Sequence, residues 1–154
     1  MSQELVLMMH PTFGVLALVA SVWVFVEALN AREANHGRIR TASILTAILI
    51  WLAYIVGGYW YVVFYGGDKE IIKAGPWPFA HSFFMETKEH LFFMLLLLAT
   101  FIPIAAYSDV VRSRATRVVV LWSSALVVLM SLAMEGAGAF ISMGVKVALL
   151  AKEM

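Results

Sequence analysis

The sequence predicts an all-α integral membrane protein, a four-transmembrane-helix up-down bundle with both termini on the outer (periplasmic) side. Composition is the first observation behind this. Of 154 residues, 62% are hydrophobic and 14% charged, and the mean hydropathy is +0.88, outside the balance of a soluble domain. The second is four apolar runs, each about the length a bilayer-crossing helix needs, joined by short polar connections. The third is a division of the basic residues by type. All six arginines lie in the first and third connections, and all five lysines lie on the other side or in the third and fourth runs near it. The length suits one membrane domain.

The first span is expected over residues 5–29. His10, Gly14, Ala17, Ser21 and Ala28 share one helical face, small except for the histidine, as needed where another helix or a flat cofactor approaches closely. Pro11 suits a first helical turn, so the membrane helix is expected to start there, with residues 1–9 partly a separate interfacial segment. Glu27, near the far end, reads as a snorkelling or arginine-paired carboxylate. A short polar loop follows, with Asn35, His36 and Gly37 at its turn.

The second span, residues 41–64, ends among Tyr59, Trp60, Tyr61 and Tyr65, which read as an interfacial aromatic belt. Residues 68–79 form the longest connection. Its Gly75-Pro76-Trp77-Pro78 cannot extend a helix backwards and so launches the third span, residues 81–107. Pro103 bends that span or marks its last turn. After the loop carrying Arg112, Arg114 and Arg117 comes the fourth span, residues 118–145, with Ser124, Ser131, Glu135, Gly138 and Ser142 along one face. The first apolar run has no basic leader and is long enough to span, so no cleavable signal peptide is expected. The excess of arginine places both basic loops in the cytoplasm of a bacterial-type inner membrane.

Ionisable groups inside an apolar span are costly enough to be functional candidates by default. They concentrate at the start of the third span, where His81, Glu86, Lys88, Glu89 and His90 precede an uncharged stretch. Glu86 and His90, four apart, share a face; His81, Met85 and Lys88 point elsewhere. With antiparallel neighbours, His10, His90 and Glu135 fall at depths matching within about two helical turns. The first and third helices of a bundle are commonly diagonal, so His10 and His90 are expected to face each other in the outer half.

Three readings of this cluster stay open. In the first, the chain is a small membrane redox protein or subunit binding b-type haem. His10 and His90 are then its axial ligands, Lys88 or His81 meets the propionates, and electrons pass within the membrane. In the second, His10, His90, Glu86 and Glu135 hold a transition-metal ion (iron, zinc, copper or manganese), each ligand offsetting the others' burial. In the third, no cofactor is bound. Glu86, Glu89, His90 and Glu135 then form a proton relay or quinone pocket in an anchor subunit of a larger respiratory complex. The lipid bilayer is a partner in all three, and a larger complex or a homo-oligomer suits so small a chain.

With no cysteine, disulfides, thiolate metal sites, iron–sulfur clusters and covalent c-type haem attachment through this chain are excluded. There is no phosphate-binding glycine loop, no nucleophile–base motif and no basic aromatic patch for nucleic acid. The nine methionines are scattered over faces rather than paired, as filler in an apolar core would be.

The missing cysteines make topology directly testable. A single cysteine replacing Arg38 or Arg114 should be protected from an impermeant thiol reagent in intact cells, and one replacing Asp68 should react. The reverse labelling pattern would sink the orientation.

Overall fold

A computed structural model describes residues 2–153. It is all-helical, with 89% helix and no strand among the described residues. Four helical segments are long and apolar enough to cross a membrane. They are carried by α1 (Gln3–Leu29), α2 (His36–Val63), α4 (Glu86–Ala106, entered through a π-helical turn over Ala80–Met85) and α5 (Arg114–Glu153). A shorter α3 (Tyr65–Ala74) lies in the connection between α2 and α4.

Helices α1, α2, α4 and α5 close a ring in which α1 meets α2 and α5, and α4 meets the same two. So α1 and α4 are the diagonal pair, as the chain order implied. Their core is built from small side chains: Gly14, Ala17, Ala20, Ser21 and Ala28 on α1, Ala42 and Ala53 on α2, Ala99 and Ala105 on α4 are buried. Backbones can then approach closely, the usual basis of helix association where surrounding lipid removes the hydrophobic drive. The outward faces are apolar as well, with Val62 81%, Leu97 71% and Trp122 68% exposed.

The two ends of the bundle are held differently. At one end the arginines do specific work on helix termini. Arg38 donates to both oxygens of Glu27, at 2.7 and 3.2 Å, which confirms the paired reading of that carboxylate. Arg40 donates to the carbonyls of Ala106 and Tyr107 at the end of α4 and lies 4.7 Å from the Tyr107 ring centroid. Arg117 donates to the carbonyls of Val110 and Val111 in the turn before α5. These carbonyls lack helical partners, so a guanidinium is a fitting cap. Asn35 ties the α1–α2 turn: its Oδ1 accepts from Arg32 N, and its amide donates to Glu27 Oε2 and to the carbonyls of Glu27 and Asn30.

The other end is a second, aromatic-rich core of Tyr65, Ile72, Ala80, Met85 and Ile141. Phe84 and Phe140 stack there at 4.4 Å between centroids. Here α5 continues well past the predicted 145. Its 40 residues are about 60 Å long, roughly twice the hydrocarbon thickness of a bilayer. The extra turns pack on α3 and the π-helical turn: Ala148 fills the space beside Gly75, and Ala80 and Ile72 that beside Gly144.

Three further expectations are corrected. Pro11 does not begin α1 but sits inside it, in a helix starting at Gln3. Residues 68–79 are helical through Ala74, and only 75–79 turn. Tyr65 does not belong to an interfacial belt, for it is 2% exposed and pairs with buried His81. Pro103 does mark the last turn of α4, where Tyr107 N closes onto its carbonyl.

Asn35→Ala should lower the stability of the purified protein by about 1–3 kcal/mol, since it strands buried donors and acceptors. Thermal unfolding in detergent, against wild type, reads this.

Candidate functional site

His10, Lys88 and Glu135 converge where α1 begins, α2 ends, α4 begins and α5 is at mid-length. A cavity of about 1040 Å³ lies there, lined by all four helices. His10 comes from α1, Ala53, Gly57, Trp60 and Tyr61 from α2, Lys88, Glu89 and Phe92 from α4, and Glu135, Gly138 and Ser142 from α5. Leu7, Val15, Val62 and Phe93 also line it while exposed on the outer helix faces. The cavity therefore opens sideways, through apolar surface, rather than only at the end of the bundle.

Glycines make this geometry possible. His10 Nδ1 donates to the Ala53 carbonyl at 2.9 Å, and its ring lies so close to Gly57 that a Cβ there would overlap it. With Nδ1 carrying the proton, Nε2 is left as an acceptor. A Cβ on Gly14 would overlap the Glu135 carboxylate, and one on Gly138 would stand 3.2 Å from Lys88 Nζ. Each polar head thus rests against bare backbone of a neighbouring helix.

Lys88 and Glu135 approach one another without touching. Among the described residues, the ion pairs within 4.0 Å are Arg38–Glu27 and Arg112–Glu33. Behind the wall that His10, Lys88 and Glu135 form, a second chamber of about 20 Å³ reaches Gly14 and Ser131. Two buried side-chain polar atoms have no partner among the described residues, Trp60 Nε1 and Ser131 Oγ. Trp60 lines the large cavity and Ser131 the small one.

The expected site residues are divided by this arrangement. His10, Lys88 and Glu135 are brought together. His90 and Glu86 are not: both are exposed, neither lines a cavity, and His90 Nδ1 donates to Glu86 O of its own helix at 2.6 Å. The reason is angular. At 3.6 residues per turn, Lys88 sits about 200° around α4 from either Glu86 or His90, so when Lys88 faces the interior they face away. The His10–His90 pair and the four-residue set His10, His90, Glu86, Glu135 are therefore not assembled. Among the described residues no three of the His, Asp and Glu side chains are grouped to hold a metal ion.

His81, expected as a propionate partner, lines neither cavity. It is 4% exposed in the π-helical turn, bonded through Nδ1 to the Tyr65 hydroxyl at 2.9 Å. Burial pushes the Tyr65 phenol above the usual tyrosine range, so it stays protonated. Sequence reasoning missed Trp60, Gly57 and Ser131 as cavity groups. Gly57-Gly58 in an apolar helix was the available signal, since paired glycines there mark a close approach.

The chain matches no known family model, no curated protein and no solved structure.

Gly57→Ala should expel the His10 ring and break its bond to Ala53, lowering stability by about 1–3 kcal/mol through overpacking. Gly58→Ala, with nothing within 4 Å of its Cβ, should be neutral or stabilising by up to about 1 kcal/mol. Thermal unfolding of the two variants, with the His10 ¹⁵N resonances as a local probe, separates these outcomes.

Proposed function

We propose that the chain is an integral subunit of a bacterial-type cytoplasmic membrane that binds a quinone-type molecule between its helices and exchanges protons with it. One observation carries this reading: a side-opening, mostly apolar cavity whose polar groups gather at one wall. Such a cavity fits an amphiphile with an apolar tail and a small polar head, arriving through lipid. The arginine-rich connections, read as cytoplasmic, support a position for the cavity in the outer half of the membrane.

The head-group chemistry follows from the groups present. Trp60 Nε1 is an unpartnered donor and Lys88 offers N–H groups, while a quinone carbonyl only accepts. Reduction of a quinone to a quinol takes up two electrons and two protons. His10 and Glu135 stand beside the same wall to supply protons, and the electrons come from a redox partner in a larger complex. The burial of an amine and a carboxyl in an apolar bundle is costly, and this use gives a reason to keep them.

A b-haem reading keeps one favourable observation, the His10 imidazole at the cavity wall beside Gly57. Its second axial ligand would be a group other than His90. A transition-metal reading would need ligands from outside the described cluster.

The test uses the full chain in lipid nanodiscs, titrated with a short-chain quinone while intrinsic tryptophan fluorescence is followed. Saturable quenching is expected, with affinity falling about 10-fold or more in Lys88→Leu and in Trp60→Phe (the latter read by competition with a labelled quinone), as lost hydrogen bonds to a buried head group should produce. Absence of saturable binding, or indifference to both substitutions, would reject the reading. A reduced α-band in the optical spectrum, lost in His10→Ala, would move the assignment to haem.

A further inference from the structure

The hydroxyl of Ser131 departs from the habit of its neighbours. In helices of this kind a serine or threonine hydroxyl commonly donates to the carbonyl one turn back. Ser21, Ser43, Thr46 and Ser124 all do so, at 2.7 to 2.9 Å. Ser131 is as buried as they are, at 3% exposure, yet its Oγ has no partner. It lines the inner chamber, whose volume of about 20 Å³ exceeds the roughly 10–15 Å³ that one water requires. The chamber's other polar walls are His10, Lys88 and Glu135.

We propose that this chamber binds one water molecule, positioned by Ser131, and that the water carries a proton between the Glu135 carboxyl and His10 Nε2. The valences match. The water can accept from the Ser131 hydroxyl and from the protonated Glu135 carboxyl, and donate to His10 Nε2, with the Lys88 amine beside it. Nε2 is the free acceptor because Nδ1–H is committed to the Ala53 carbonyl. Lys88 and Glu135 stand apart rather than in direct contact, which leaves the space between them to a bridging molecule.

The transfer balances without any electron change. A protonated Glu135 gives its proton to the water oxygen as the water's own O–H bond to Nε2 breaks and the N–H bond forms. Carboxylate, imidazolium and an intact water remain, and the reverse step restores the start. His10, Lys88 and Glu135 line both the chamber and the large cavity. A proton stored on either side of the water is therefore one step from a ligand head group. This deepens the proposed proton exchange at the cavity wall and rests on that reading for its purpose, though not for the existence of the water.

The test is infrared difference spectroscopy of the full chain in lipid nanodiscs, recorded across a pH step in ordinary and ¹⁸O-labelled water. Wild type should show a sharp, ¹⁸O-sensitive O–H stretch that changes together with the carboxyl and imidazole bands. Ser131→Val, whose methyl groups fill the chamber, should lose it. Should that variant fail to fold, Ser131→Ala is read instead, and its water band should shift or disappear because the hydroxyl donor is gone. No ¹⁸O-sensitive band in wild type, or a band unchanged in the readable variant, overturns the proposal. Quinone titration of the same samples is an independent reading: a water band without quinone binding rejects the binding function and leaves the water site standing.

Discussion

The constraint on which this structure turns is that an amine from α4 and a carboxyl from α5 are held in an apolar interior beside an imidazole from α1. Polar heads of that kind are costly to bury unless each finds partners. The bundle meets the cost by removing side chains rather than adding polar ones. Gly14, Gly57 and Gly138 stand where a Cβ would strike Glu135, His10 or approach Lys88. The same thinning of the core that lets α1, α2 and α5 come close also leaves the cavity and the chamber open. Packing and site are thus one arrangement, and enlarging any of these glycines alters both.

The two ends of the bundle divide the work. At the arginine end, Arg38 pairs with Glu27, Arg40 of α2 reaches across to the end of α4, and Arg117 holds the turn before α5. At the aromatic end, the long α5 reaches over α3 and the π-helical turn. The buried Tyr65–His81 bond fixes that turn, and Met85, at its end, lines the cavity. Prolines 76 and 78 keep the chain from running helically backwards out of the turn, and Ala80, His81 and Ser82 close onto the carbonyls of Trp77 and Pro78. That turn sets the rotation of α4, and hence which of its polar residues looks inward.

The rotation explains where reading residues in order succeeded and where it failed. The small face of α1 was legible because Gly14, Ala17, Ser21 and Ala28 repeat at helical spacing and bury together. On α5 the stripe that holds Ser131 and Glu135 was legible for the same reason, but that Ser131 faces a chamber was not. On α4 the polar cluster has members on every face, since Glu86, Lys88, Glu89 and His90 crowd into little more than one turn. Periodicity then names the candidate faces but does not choose among them. A histidine pair at matching depth favoured His90; the fold turned Lys88 inward instead. His36, by contrast, was rightly set apart at the far end, where it meets the Ala106 carbonyl.

The sequence by itself determined four long apolar helices, their order, their antiparallel neighbours and the diagonal relation of α1 and α4. Hydropathy, run length and short connections leave few alternatives for those features. Tertiary structure alone decided which face of α4 enters the core, that Tyr65 and His81 leave the surface to meet each other, and that α5 outruns its apolar stretch. Each of these depends on where a helix starts and how neighbouring surfaces fill one another. A shift of one residue at the Ala80–Met85 turn rotates α4 by about 100°, a quantity that no linear pattern of residue types encodes.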